Sequence, residues 1–361
     1  MEDFTSLEEV LKEIKTNLDT AKKPDKVKVA LLFACNTSGK TRLSKMFVDK
    51  YEKQTLCYNA FLEDYFNWDN ENISLNLNPD SWIAQLIKDE GLDGRVNDNF
   101  KKLTNSKIEP EFDSEQGKIT FKHYTGDENT IENIKISRGE ESLFIWSVFY
   151  TILDVAIDIL GETPENRSTH YFDDIRYIVI DAPVSSMDDT RIITVALELL
   201  ELIKRISRLE NKLKVLITTH HGLFYNILHS EKIIECHKQP YLLTKSSNNI
   251  FSLNVQERES PFAYHNFIFT EIQKIINNND IQKYHFNLFR ALLEKTANFL
   301  GYSKWSDLLD ESESKNIVVK QLNLYSHSRL SEIEASRLTD EEKEAFKHTF
   351  EGFTTKFHWR I

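Results

Sequence analysis

The residues best suited to chemistry fall in five short segments: Ala34-x4-Gly39-Lys40-Thr41, Ser137-Arg138-Gly139-Glu140, Tyr177-Ile178-Val179-Ile180-Asp181, Ser186-Met187-Asp188 and His220. The first is a turn built to hold phosphate. Backbone N–H groups from Asn36, Thr37, Ser38 and Gly39 can converge on anionic oxygens at the start of a helix, where the helix dipole also favours negative charge. Lys40 adds a positive charge, and the Thr41 hydroxyl can ligate magnesium. Ala34 stands where such loops usually begin with glycine, a small-residue relaxation, and Cys35 reads as a spectator. Asp181 ends an apolar run and supplies a carboxylate to hold the metal, directly or through water. His220 follows Val215-Leu216-Ile217-Thr218-Thr219 and can contact a terminal phosphate; its neighbour His221 receives no role.

The order and separation of these segments describe an ABC-type ATPase head. In such proteins the turn corresponding to Ser137, Gly139 and Glu140 starts a helix whose N-terminus caps nucleotide bound to a second subunit's P-loop, and Asp188, with Ser186, runs along the same interface. A homodimer that closes on nucleotide is the mechanical consequence. Position 182 departs from the pattern. A carboxylate normally follows the metal-binding Asp to orient the attacking water, and here it is Ala182. Slow hydrolysis, a different water-orienting group, or a replacement that traps bound nucleotide are the three readings, with the last preferred because the rest of the site is intact.

A second constellation lies toward the C-terminus. Arg290 and Glu294 are four residues apart and therefore share a helix face, while His327 follows in Tyr325-Ser326-His327-Ser328. Arginine, glutamate and histidine suffice for RNA cleavage without metal. One group takes the ribose 2′-OH proton, another protonates the leaving 5′-oxygen, and the guanidinium stabilises the phosphorane. The products would be a 2′,3′-cyclic phosphate and a 5′-OH. Spacing alone also fits a helix-surface ion pair between Arg290 and Glu294.

Around these sites, Val27–Phe33 predicts a buried strand, with a helix opening at Ser38–Thr41. Leu56–Phe61 predicts a strand leading to a phosphate-sensing loop, 97–126 strands and polar turns, Glu141–Leu160 a helix, Gly161–His170 a loop, and Ile192–Ser207 a helix. A boundary is placed near Ser260, giving an N-terminal head over 1–260 and a mainly helical unit over 261–361. Within the latter, Tyr284–Leu300 predicts a helix with Phe286, Leu288, Phe289, Leu292, Leu293 and Phe299 buried on more than one side. The fold class is thus α/β, an ABC-ATPase-like head followed by a mainly helical domain. About 95 residues separate Thr41 from Ser137 without sustained heptads, too few for the coiled-coil arms of DNA-tethering ATPases.

The 361 residues carry a net charge of −12 with pI near 5.5, which excludes a broadly basic nucleic-acid coat. From Pro261 onward, 13 Lys and Arg face 14 Asp and Glu, so nearly all the excess negative charge resides in the head. No run of 18 apolar residues and no charged-apolar-small leader occurs at Met1–Thr20, so membrane association is not expected. Cys35, Cys57 and Cys236 are too scattered for a disulfide framework or zinc cluster, and the expected location is the cytoplasm.

Several long blocks resemble the bacterial anticodon nucleases of the PrrC family: Tyr58–Asp64, Ser137–Tyr150, Tyr284–Arg290 and Glu294–Trp305. The similarity runs from about Val27 to the C-terminus. It implies an ABC NTPase controlling a ribonuclease whose Arg, Glu and His triad matches Arg290, Glu294 and His327. It further implies cleavage 5′ of the wobble nucleotide in the tRNA-Lys anticodon loop during phage infection, silencing by a type I restriction-modification complex, and response to ATP or GTP and to dTTP. The family usually has Asp where this chain has Ala182, which puts normal turnover in question. Tyr284, His285 and Trp305 are candidates for stacking on loop bases. An ABC-type ATPase regulating a separate nuclease or DNA transaction is the alternative, with a DNA-repair ATPase behind it; in both, Arg290–His327 would be structural.

Overall fold

The computed structural model describes residues 2–20, 26–35, 37–58, 65–104, 107–113, 115–124, 130–184, 187–210, 213–231, 233–234, 236–246, 250–256, 263–278, 280–326 and 338–359. Contacts divide the chain into two units, Met1–Pro261 and Phe262–Ile361.

In the first unit the strands β1 (Glu2–Phe4), β2 (Val27–Ala34), β3 (Thr55–Tyr58), β9 (Tyr177–Asp181), β10 (Lys214–Thr219), β11 (Cys236–Lys245) and β12 (Phe251–Val255) form one sheet in the order β1-β12-β11-β2-β10-β9-β3. The five strands from β11 to β3 are parallel. Every residue of β2 is buried, as expected for a strand covered on both faces. Helix α1 (Leu7–Asp19) lays Leu7, Val10, Leu11, Ile14 and Leu18 onto the sheet, where they join Ala30, Leu32, Val179 and Leu216 in one core. The spacing of these residues is the apolar stripe of an amphipathic helix. Helix α2 (Lys40–Lys50) follows β2 directly through the phosphate-type turn.

A smaller antiparallel sheet is made by β4 (Phe66–Asp69), β5 (Ser74–Leu77), β6 (Ile108–Asp113) and β7 (Lys118–Tyr124), in the order β4-β5-β7-β6 with β8 (Thr130–Ile131) paired to β7. Between β5 and β6 lie helices α3 (Trp82–Asp89) and α4 (Asp93–Thr104). The expectation of strands and turns over 97–126 is therefore wrong for its first part. Val96, Phe100 and Leu103 are buried on one helical face, a spacing hidden by the surrounding Asn, Asp and Lys. Helix α5 (Arg138–Leu160) joins the two sheets' cores. Its Phe144 meets Phe121 and Phe100 edge-on at 5.2 and 5.6 Å, while Trp146 meets Tyr58 of β3 at 5.0 Å. This helix is long and apolar enough to cross a membrane, but 83% of its most apolar stretch is buried inside the protein. Helices α6 (Asp189–Ile206) and α7 (Gly222–Ser230) complete the unit; the 3-10 turn Pro164–Asn166 lies in the expected loop.

The second unit is helical among its described residues: α8 (Ala263–Asn277), α9 (Lys283–Leu300), α10 (Glu313–Ser326) and α11 (Asp340–Lys356), with a 3-10 turn at Trp305–Leu308. Phe286, Phe289, Leu292 and Leu293 of α9 are fully buried. Phe289 packs on Phe346, Phe350 and Phe353 of α11 at 5.4 to 5.8 Å, each aromatic pair adding roughly 0.5–1.5 kcal/mol to its area burial. Phe299 departs from the expected pattern, being 87% exposed in the last turn of α9. Leu288 is only partly buried.

Candidate functional site

The parallel register gathers the nucleotide motifs at one edge. Strand β10 lies between β2 and β9, pairing Thr219 with Phe33 and Thr218 with Asp181. The turn after β2, Asp181 ending β9 and His220 following β10 therefore share the carboxyl end of the sheet, the edge at which open α/β folds bind ligands. Thr37 and Gly39 both have positive φ, 69° and 96°. Glycine suits 39 because side-chain-bearing residues rarely adopt this φ, and the Leu7 side chain lies against the position where a Cβ would be. The Leu7 side chain thus supports the turn from below.

Lys40 is buried and donates to the carbonyl oxygens of Ala34 and Cys35 at 2.7 and 2.9 Å. Burial pushes its pKa down, and the nearby Asp181 charge opposes that shift. Asp181 is itself buried, and Thr218 donates its hydroxyl to Asp181 Oδ1. His220 is pushed below the ordinary histidine value by burial, then by Lys40 and His221, with Asp181 acting the other way. Lys40, Asp181 and His220 thus lie close enough at this edge for each charge to act on the others. Ser38 donates to the Cys35 carbonyl through both its backbone N–H, at 3.3 Å, and its hydroxyl. Thr41 is exposed in the first turn of α2. Asn36 and Ser186 lie outside the described residues.

The second motif is a capped helix start. Ser137 Oγ accepts the Glu140 N–H at 3.3 Å, and the Ser137 N–H donates to Glu140 Oε2 at 2.8 Å. This reciprocal box fixes the first turn of α5, on which Gly139 sits. Asp188 caps α6 with a single bond, its Oδ1 accepting the Arg191 N–H at 3.0 Å. Ser137, Gly139, Glu140 and Asp188 therefore mark two helix N-termini, separate from the Lys40 cluster in their hydrogen bonding. Ala182 has φ of 50°, and its N–H donates to the Thr218 carbonyl at 2.9 Å. An alanine in this left-handed region is strained by roughly 1–2 kcal/mol.

In the helical unit, Arg290 Nε donates to Glu294 Oε1 at 2.7 Å. Its Nη1 reaches across to α10, donating to the Leu322 carbonyl at 3.2 Å and to Asn323 Oδ1 at 3.1 Å. The guanidinium also lies over the Trp305 ring, 5.3 Å from its centroid. Helix α10 ends at Ser326, the residue before His327. His327 itself lies outside the described residues, as does the Tyr284 side chain. His285 is unsuited to stacking on a base: it is 1% exposed and accepts the Gln282 N–H on Nδ1 at 2.8 Å. Burial holds its pKa down at about 4, against a smaller opposing influence from Asp280. Trp305 is half-buried and packs against the helical core with Arg290 over its ring. Thr218, Leu7 and Asn323 are site neighbours that local sequence patterns do not reveal.

An anticodon nuclease of Escherichia coli is 39% identical over 350 residues, covering 89% of this chain and 87% of that protein. Among solved structures, the SMC head bound to the C-terminal winged-helix domain of ScpA aligns with 64% of this chain and 91% of its own, at TM-score 0.36 and 9% identity. The SMC head domain from Thermotoga maritima gives the same coverage at TM-score 0.33 and 12% identity. No family model matches the chain.

Proposed function

The chain belongs to the anticodon nuclease family, and from that premise we propose that it is a nucleotide-gated endoribonuclease that cuts the anticodon loop of tRNA-Lys in defence against phage. One observation carries the assignment of chemistry to the helical unit. Arg290 is bonded at once to Glu294 and to the last turn of α10, the helix that runs into His327. Such an arrangement supports a shared scissile phosphate. Arg290 stabilises the charge that develops on the phosphorane. Glu294 and His327 divide the two proton transfers: one removes the 2′-OH proton as that oxygen attacks phosphorus, and the other protonates the departing 5′-oxygen. The bond to the 5′-oxygen breaks as the 2′-oxygen bond forms, leaving a 2′,3′-cyclic phosphate and a 5′-OH.

The head supplies the switch. ATP or GTP, or dTTP, is held by the turn at 36–41, with Lys40 turning from the Ala34 and Cys35 carbonyls toward the phosphates. Among the described residues no group of three or more His, Cys, Asp and Glu is placed to hold a metal. Thr41 and Asp181 would instead hold magnesium, an ion that prefers few protein ligands. That ion would neutralise phosphate charge. Two chains would close head to tail, Ser137, Gly139 and Glu140 of one meeting nucleotide on the other's P-loop, with Asp188 alongside and His220 against the terminal phosphate. A type I restriction-modification complex is the proposed silencing partner.

The test is to incubate purified protein with unfractionated tRNA, with and without ATP or GTP, and to sequence the new ends. Nucleotide-dependent cuts confined to the lysine tRNA anticodon loop support the reading. Cleavage scattered over many tRNAs, or unchanged without nucleotide, would reject the specificity and the gating respectively.

A further inference from the structure

We infer that Trp305 and Asn323 are positioning residues for the Arg290 guanidinium, holding its plane in one orientation for the phosphate; this rests on the nuclease reading above. A free arginine side chain samples many rotamers, and a guanidinium stabilises a transition state best when its direction is set beforehand. Here it is gripped from three elements. Glu294 binds Nε from the same helix, Trp305 presents its ring to the guanidinium carbon, and Asn323 accepts from Nη1 together with the Leu322 carbonyl.

Each grip is itself anchored. Gly301 ends α9 in the left-handed conformation, at φ 77°, and the chain then returns Trp305 toward Arg290, fifteen positions earlier. Leu308 and Leu309 fasten that 3-10 turn into the helical core. Leu322 and Val318, both fully buried, anchor the stretch of α10 that carries the exposed Asn323. The Leu322 carbonyl belongs to the last turn of α10, where the helix carries partial negative charge and favours a cation. The clamp therefore places Arg290 against the turn that delivers the chain to His327, tying the orientation of one proposed catalytic side chain to the entry of another.

A brace that only held the helices together would affect folding and not the chemical step selectively. The measurement that separates the two uses the full chain, saturating nucleotide and 3′-labelled lysine tRNA in single-turnover cleavage over a range of enzyme concentrations. Trp305→Leu keeps apolar volume and removes the aromatic face. Asn323→Leu removes the acceptor with similar volume. Both are expected to lower the saturated rate by roughly 10- to 100-fold with the half-saturating concentration and Tm close to wild type, since misorientation of a reacting group costs rate without abolishing binding. Trp305→Phe and Asn323→Asp, which keep a ring and an acceptor, should recover most of the rate. Wild-type rates in both leucine variants would overturn the inference, as would a failure of both conservative variants to recover activity. Arg290→Ala serves as the control. If it cleaves normally, the nuclease reading itself fails; if it is inactive while Trp305→Leu and Asn323→Leu are normal, only the clamp fails.

Discussion

Thr218 on β10 lies in register with Asp181 on β9 and donates its hydroxyl to Asp181 Oδ1. Both side chains are buried, so the carboxylate that the metal would use is oriented by an adjacent strand instead of by solvent. Thr218→Val removes that donor at nearly constant shape and leaves a buried acceptor short of a partner. The variant should lose about 1–3 kcal/mol of stability. In fluorescent-nucleotide titrations it should also lose more affinity with magnesium present than without it. Equal losses in the two conditions would separate Thr218 from the metal.

Lys40 spends its ammonium on the Ala34 and Cys35 carbonyls, contacts that phosphate oxygens can replace with stronger, charge-assisted bonds. Lys40→Ala should weaken ATP or GTP binding by about 10- to 100-fold, the worth of one such bond. Any nucleotide-dependent increase in mass seen by light scattering should vanish with it. The same mass response in wild type and variant would show that the turn is not the nucleotide site.

Ala182 combines a strained backbone with a missing carboxylate. Ala182→Gly should raise stability to chemical denaturation by about 1 kcal/mol, because glycine adopts this φ without strain. Ala182→Asp places a carboxylate in a conformation that Asp tolerates better than Ala, and should raise steady-state phosphate release by roughly 100-fold if it orients water. Unchanged release would mean that another group already serves that purpose.

His285 makes the helical unit sensitive to acid. Its folded-state pKa, about 4, lies below the unfolded value near 6.5, so the neutral form is the one the fold favours. Stability is fully present above pH 6.5 and falls by about 1.4 kcal/mol per pH unit as the unfolded chain takes up the proton, levelling off below pH 4. Denaturation of His285→Gln between pH 7 and 4 should show a shallower pH slope than wild type. Identical slopes would assign the acid sensitivity elsewhere.

The cluster of Lys40, Asp181 and His220 is legible in the sequence because its signals are local: a glycine-lysine turn after an apolar run, an aspartate ending a second, a histidine after a third. The Arg290–Glu294 pair is legible for the same reason, since four residues is one helical turn. Thr218 is not, because its meaning depends on a register between strands that meet 37 residues apart. Trp305 invites a reading as a base-stacking platform until the chain reversal at Gly301 puts it under Arg290. Asn323 owes its role to the crossing of α9 and α10. Phe299 misleads in the opposite sense, since it continues the apolar pattern of α9 and yet faces outward.

In the proposed mechanism Arg290, Glu294 and His327 cut RNA in the helical unit without metal chemistry at the scissile phosphate. That mechanism is tested most directly by mapping both new ends of lysine tRNA cut by wild type and by His327→Ala, with nucleotide binding and dimerisation measured alongside. Wild type should leave 2′,3′-cyclic phosphate and 5′-OH ends, and His327→Ala should not cleave while still binding nucleotide and dimerising. Undiminished cleavage by His327→Ala, or ends bearing 3′-OH and 5′-phosphate, would contradict the mechanism.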